Sequence, residues 1–226
     1  MTERIIEINH VWKIYQIGEV KVEALRGLNM NIKKGEFVAV MGPSGSGKST
    51  AVNMLGCLDI PSKGEVLLKG KNIARMSESQ LAQVRGRTIG FVFQTFNLIP
   101  TLTAKENVML PMIFQGTSQK ARDARGIRLL GLVGLSDRMH HKPTELSGGQ
   151  QQRVAIARSL ANDPELILAD EPTGNLDSKS SKAIMDLLKT LHKKEKKTIV
   201  MVTHDKQTTK YADRIITLKD GAVARS

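Results

Sequence analysis

Residues Gly42 to Thr50, GPSGSGKST, carry the spacing G-x-x-x-x-G-K-[ST]. That spacing suits a loop that cradles phosphate. Gly42, Gly45 and Gly47 let backbone N–H groups turn inward around anionic oxygens, with Pro43, Ser44 and Ser46 between them. The helix that opens here adds the positive end of its dipole. Lys48 is placed to reach the β- and γ-phosphates of a nucleoside triphosphate, the Ser49 hydroxyl to ligate Mg²⁺, and Thr50 to close the loop. The apolar run FVAVM before it and the helical pattern after it give the strand–loop–helix context the motif needs.

Three more apolar runs end on polar residues. LILAD delivers Asp170 at a strand end, where open α/β sheets place ligands, and makes it a partner for the same Mg²⁺. Glu171 precedes Pro172, which favours extended backbone; neighbouring side chains then face opposite ways, so Glu171 is expected to orient an attacking water instead. TIVMVT leads to His204, which that placement aims at the γ-phosphate; His10, His140, His141 and His192 read as structural. TIGFVFQ ends on Gln94, placed to sense the metal or the water.

A fourth stretch poses a question. In Leu146-Ser147-Gly148-Gly149-Gln150, Ser147 and Gln150 have capping-box spacing, and Val154, Ala157 and Ala161 continue one helical face. Gly148 and Gly149 nevertheless occupy the first turn, where each costs up to about 1 kcal/mol relative to Ala. Capping does not explain them.

The elements that must position these residues follow from pattern. IIEINHVWKIY, LNMNI and EVLLKGKNI read as strands of a small antiparallel layer. Thr95 to Ala161 shows helices and loops but no strand, after which strand–helix alternation resumes. This is an α/β chain with a mostly parallel core sheet and a helical insertion. At 226 residues and 40% hydrophobic it suits one domain with subdomains. Its single cysteine, Cys57, excludes an internal disulfide framework. No run approaches the roughly 20 apolar residues of a membrane span, and MTERIIEINHVW lacks a signal-peptide pattern. The net charge of +12 is scattered apart from HKKEKK at a helix end. Aromatics are 4% and do not interleave with the basic residues, so nucleic acid is not expected as a partner.

Taken together, GPSGSGKST, Gln94, LSGGQ, LILADE, NLD and His204, in that order, resemble the ATP-binding-cassette (ABC) ATPases over essentially the whole chain. LSGGQ discriminates, since phosphate loops occur in many unrelated NTPases. The resemblance implies a P-loop NTPase ABC nucleotide-binding domain over 1–226. An N-terminal antiparallel β subdomain and the α/β core would take about 1–94 and 162–226, and an inserted α-helical subdomain about 95–161. It implies ATP and Mg²⁺ as cofactors, Glu171 as catalytic carboxylate with His204, Lys48 and Gln94, and Tyr15, preferred over Trp12, as the aromatic on adenine. It also implies a head-to-tail dimer in which Leu146, Ser147, Gly148, Gly149 and Gln150 meet the partner's γ-phosphate. The two glycines would then leave backbone bare for that phosphate, and Asn175, Leu176 and Asp177 would couple the two sites.

A narrower likeness, in MGPSGSGKSTAVNMLGCLDIPSKGEV and FVFQTFNLIPTLTAKENVMLP, is to the lipoprotein-release and macrolide-export branch. It implies a separate membrane permease, docked on the stretch after Gln94 through Leu98 or Leu102, and a place on the inner face of the cell membrane. A regulatory, cell-division-type module is the alternative. DNA-repair heads of this type carry a long coiled coil between phosphate loop and signature, whereas fewer than a hundred residues separate Thr50 from Leu146.

Overall fold

Three short apolar runs, Phe37–Met41, Leu166–Asp170 and Thr198–Val202, lie side by side and are buried along nearly their whole length. Strands covered on both faces read as continuous apolar runs, and a strand's alternation then feeds two separate cores. Val38, Val40, Leu166, Leu168, Val200 and Val202 face one core. Phe37, Ala39, Ile167, Ala169, Ile199 and Met201 face the other.

The computed structural model describes residues 3–224. Its strands are β1 (Arg4–Ile17), β2 (Val20–Lys33), β3 (Phe37–Met41), β4 (Lys63–Leu68) and β5 (Lys71–Asn72), then β6 (Ile89–Val92), β7 (Leu166–Asp170), β8 (Thr198–Val202), β9 (Arg214–Lys219) and β10 (Ala222–Val223). Its α-helices are α1 (Lys48–Leu55), α2 (Glu78–Thr88), α3 (Ala104–Phe114), α4 (Gln119–Leu132), α5 (Gly148–Ser159) and α6 (Ser178–Glu195). One sheet has the order β10-β9-β3-β8-β7-β6, parallel except for β10; the other, β2-β1-β4-β5, is antiparallel. The first core joins the antiparallel sheet and α1 to the parallel sheet, and the second joins that sheet to α3, α4, α5 and α6. No helix among the described residues is long and apolar enough to cross a membrane.

Three details differ from the pattern-based expectation. EVLLKGKNI is not one strand: Lys69 and Gly70, at φ 50° and 73°, turn it into the β4–β5 hairpin. Two positive φ values suit a two-residue hairpin turn, but Lys-Gly is not among its strong signals. β2 begins at Val20 rather than Leu28: Val20 to Glu23 alternate apolar and polar and pair with β1, but all four are exposed. Helix α2 has only Leu81 fully buried and is opened by a Ser77–Gln80 capping box, so apolar periodicity does not reveal it.

Between β6 and β7 the chain is helical, as the residue pattern indicates. The loop that follows β6 is irregular and is held by side chains. Asn107, fully buried in α3, accepts the Ile99 N–H at 2.8 Å. It donates to the carbonyls of Ile99, Leu102 and Thr103 at 3.1, 3.1 and 3.0 Å. Arg158 donates to the Phe96 and Asn97 carbonyls at 2.9 and 2.5 Å. Leu98 packs on the helical core and Leu102 is half-buried; the exposed apolar side chains of this region are Ile99, Ile113 and Phe114 instead. Asn107→Ala strands those backbone groups, and urea titration is expected to show a loss of about 2–3 kcal/mol in unfolding free energy, with faster proteolysis between Gln94 and Thr103.

Candidate nucleotide site

The carboxyl ends of β3, β7 and β8 deliver the polar residues to one edge of the sheet. After β3 the chain enters the glycine loop, and α1 starts at Lys48 with Gly47 as its N-cap at φ 94°. A Cβ on Gly42 would lie 2.3 Å from the Leu218 carbonyl oxygen, and one on Gly47 2.6 Å from that of Ala24. Close approach of β9 and β2 therefore demands glycine at both positions. The Lys48 ammonium donates to the Gly42 and Pro43 carbonyls at 2.8 and 2.7 Å, which draws it over the loop. Ser46 is buried and its hydroxyl has no hydrogen-bond partner among the described residues.

Ser44, Gly45, Gly47, Lys48, Ser49 and Thr50 line a cleft of about 580 Å³ together with Val22 to Ala24, Glu171 and His204. Asp170 stands at the end of β7. Burial pushes its carboxyl above the usual carboxylate range, the Glu171 charge adds to this, and Lys48 partly offsets it.

Glu171 overturns the extended geometry expected before proline, since its φ is 46°. The Glu171 N–H donates to the Val202 carbonyl at 2.9 Å, and its own carbonyl accepts the Gly174 N–H at 3.0 Å. These bonds turn the chain sharply at the strand end and hold a conformation costing roughly 1–3 kcal/mol. What distinguishes Glu171 from Asp170 is thus a hydrogen-bond partner and not strand alternation: His204 Nδ1 lies 2.6–2.7 Å from its carboxylate oxygens. A carboxylate has no proton to give, so Nδ1–H donates and Nε2 carries the remaining capacity. The His204 side chain is 70% exposed against 20% for Glu171, so the histidine forms the mouth of the cleft.

Gln94, two residues beyond β6, does not line the cleft. Its amide donates to Asn175 Oδ1 at 3.2 Å, and Asn175 Nδ2 donates back to the Gln94 carbonyl at 3.1 Å. Asp177 caps α6, accepting the Ser180 N–H and hydroxyl at 2.9 and 2.6 Å, and these bonds hold its carboxyl below the usual range. Leu176 packs toward the helical core.

Leu146 to Gln150 line no part of the cleft. Ser147 and Gln150 form the capping box, with Ser147 N–H to Gln150 Oε1 at 2.8 Å and Gln150 N–H to Ser147 Oγ at 3.3 Å. A Cβ on Gly149 would meet the Ser180 Oγ and Cβ at 2.9 and 3.0 Å, whereas one on Gly148 would find ordinary contacts at 3.4 Å or more. The pairing of α5 with α6 supplies a reason for Gly149 within the chain. No such reason exists for Gly148.

Tyr15 pairs with Val22 across the β1–β2 ladder and so shares the face of a residue that lines the cleft. Trp12 instead covers Gly27, with its indole nitrogen 3.6 Å from where a Cβ would stand. One strap was missed in the sequence. Gln152 is fully buried and donates to the Phe93 and Pro172 carbonyls at 3.2 and 2.6 Å, tying α5 to the ends of β6 and β7. Its signal was a polar residue on the apolar stripe that continues at Ala155 and Ile156.

A family model described as ABC transporter matches residues 25–174. An uncharacterized ABC transporter ATP-binding protein of Thermotoga maritima is 56% identical over 221 residues, spanning 98% of this chain and 94% of that protein. The macrolide export ATP-binding/permease protein MacB 2 of Aeromonas hydrophila is 52% identical over 99% of this chain, which spans only 34% of that longer protein. Among solved structures, the ATP-binding cassette MJ0796 of Methanocaldococcus jannaschii, as a post-hydrolysis dimer with ADP and Pi, superposes with a TM-score of 0.89. It is 51% identical, with 97% of each chain covered.

The raised Asp170 carboxyl generates a prediction for the nucleotide-free protein in EDTA. Its native pKa lies above its unfolded one, so the native state binds more protons between the two and stability falls as pH rises through that window. Asp170→Asn removes the cost. Thermal unfolding is expected to show a higher midpoint for the variant at pH 7, with the gain fading as pH falls below the ordinary carboxylate range.

Proposed function

The chain belongs to the ABC transporter family, and we propose that two copies close head to tail around ATP, then open on hydrolysis to work a separate membrane permease. As an ABC transporter ATP-binding subunit it is an ATPase. One observation carries the cross-chain reading. Lys48, Ser49, Glu171 and His204 line one cleft, while the capped, glycine-opened start of α5 lies outside it. A second phosphate-grasping device that does not face its own chain's cleft serves another chain's nucleotide.

The cleft divides the work among its residues. Backbone N–H groups from Gly45 to Thr50 and the N-terminus of α1 bind the phosphate chain, with Lys48 neutralising the β- and γ-oxygens. Tyr15 stacks on adenine. Among the described residues no group of three or more His, Cys, Asp or Glu side chains forms a metal cage. A hydroxyl and a half-buried carboxylate beside a phosphate loop nevertheless fit Mg²⁺, which takes the rest of its shell from phosphate and water. Ser49 and Asp170 would hold that ion, and Gln94 would join through Oε1, the amide atom that does not bond Asn175; the ion would supply charge stabilisation at the phosphate oxygens.

Glu171 accepts the proton of the attacking water and orients it. His204, bonded through Nδ1, fixes the carboxylate and, when both ring nitrogens carry a proton, donates Nε2–H to the γ-phosphate. From the partner, Ser147, Gly148 and Gly149 complete the grip on that phosphate, and Asn175 to Asp177 link the two sites.

The permease's cytoplasmic segment docks in a largely apolar groove of about 450 Å³ that includes Leu58, Phe91, Phe93, Pro111 and Phe114. Phe114 is 79% exposed at its rim. Docking there holds the chain at the inner face of the membrane. Residues 95–161, as a helical subdomain, pass the motion to the body formed by about 1–94 and 162–226. The likeness to MacB-type proteins favours the lipoprotein-release and macrolide-export branch.

Glu171→Gln is expected to lower ATP turnover at least a hundredfold while nucleotide binding persists and a closed dimer accumulates on gel filtration; wild-type turnover would remove Glu171 from the role of base. Lys48→Ala and Ser147→Arg chains are each expected to be inactive alone. Mixed, they leave one intact composite site per heterodimer, so hydrolysis returns. Absence of recovery in a verified heterodimer would overturn the cross-chain reading.

A further inference from the structure

Lys13 and Tyr15 are alternate residues of β1, and their side chains meet on one face. The Lys13 ammonium lies 5.1 Å from the centroid of the Tyr15 ring. It reaches Asp59 Oδ1 at 2.5 Å and the Ile60 carbonyl at 3.0 Å. Asp59 Oδ2 accepts the Tyr15 hydroxyl at 3.1 Å. One carboxylate therefore holds both the cation over the ring and the hydroxyl at its edge. Lys13 is 13% exposed and Asp59 24%, so solvent screens this pair weakly.

Asp59 is placed by the phosphate-side helix. The Leu58 and Asp59 N–H groups both point to the Asn53 carbonyl, at 2.9 and 3.3 Å, closing the turn after α1. The same helix begins with Lys48 and Ser49, and Thr50 in its first turn lies against the Tyr15 hydroxyl. The spacing between the aromatic ring and the phosphate loop is thus set by one short helix.

The strands alone would not set it. β1 and β2 slip register on both sides of Lys13, and Ile17, Val20 and Val22 leave that end of the hairpin exposed. Burial works against the Asp59 charge, but bonds from Lys13, the Ile60 N–H and Tyr15 hold its carboxyl below the usual range. Burial and Asp59 push the Tyr15 hydroxyl up. Asp59 accordingly stays ionised and Tyr15 neutral at neutral pH.

We propose that Lys13 and Asp59 are positioning residues for base selection: they lock the Tyr15 ring, with Lys13 against one face, so that the other face meets the purine of the bound nucleotide already ordered. The inference rests on the reading that Tyr15 stacks on adenine. Ordering one side chain corresponds to roughly a three- to tenfold difference in affinity.

Titration calorimetry of the full chain with ATP and with inorganic tripolyphosphate separates the possibilities. Lys13→Met and Asp59→Ala are expected to weaken ATP about three- to tenfold, leave tripolyphosphate affinity and kcat at saturating ATP within about twofold, and raise KM. Lys13→Arg, which keeps a cation over the ring, retains ATP affinity. Asp59→Ala added to Tyr15→Leu costs nothing further. If Tyr15→Leu leaves ATP affinity unchanged, the stacking reading itself fails. If Tyr15→Leu weakens ATP while Asp59→Ala and Lys13→Met do not, the inference alone is overturned. Equal weakening of ATP and tripolyphosphate by Asp59→Ala would place its effect in α1 and the phosphate loop, and would also overturn it.

Discussion

The register of three parallel strands governs everything at the site. Val40 of β3 and Asp170 of β7 both pair with Val202 of β8, so these three residues stand level across the sheet. One step further on, the Glu171 N–H bonds the Val202 carbonyl and the Thr203 N–H bonds that of Val40. The phosphate loop, the acidic pair and His204 therefore leave the sheet at one edge. A slip of one residue would swap the faces of every side chain in the slipped strand, and two distinct cores make such a slip costly. Burial far from the chemistry is what aligns the chemistry.

Backbone strain is concentrated where that edge must turn. Glu171 takes a positive φ directly after Asp170, and its carboxylate is then held by His204. Gly42 and Gly47 accept positive φ under carbonyl oxygens that would exclude any Cβ. The costs are local, and the stability of the two cores absorbs them. The start of α5 follows a different rule. Its capping box satisfies the helix end, Gly149 allows α6 to approach through Ser180, and Gly148 alone is free of an internal steric demand.

The loops that would speak to other proteins are joined inside this chain. The reciprocal Gln94–Asn175 bonds link the segment after β6 to the segment after β7. Asp177 and Ser180 carry that link to the signature helix, and Gln152 straps the same helix to both strand ends. The loop held by Asn107 and Arg158 follows directly on Gln94 and is thereby tied to the segment after β7.

What the residues alone made legible was whatever depends on local spacing. The phosphate loop, the Ser147–Gln150 cap, the buried runs FVAVM, LILAD and TIVMV, and the strand-free stretch from Thr95 to Ala161 could all be read from residue type and period, because periodicity and capping are short-range. Contacts without a local signature could not. The exposure of Val20 to Glu23 on both faces, the Lys69–Gly70 turn and the carbonyl partners of the buried Gln152 all rest on partners distant in sequence or on backbone angles. The clearest case is Glu171. The proline after it argued for an extended residue, and hydrogen bonds to the Val202 carbonyl and from the Gly174 N–H imposed a left-handed one. Sequence determined which groups reach the edge of the sheet; only the tertiary structure decided how each is turned there, because backbone hydrogen bonds between strands outweigh the preference of a single residue.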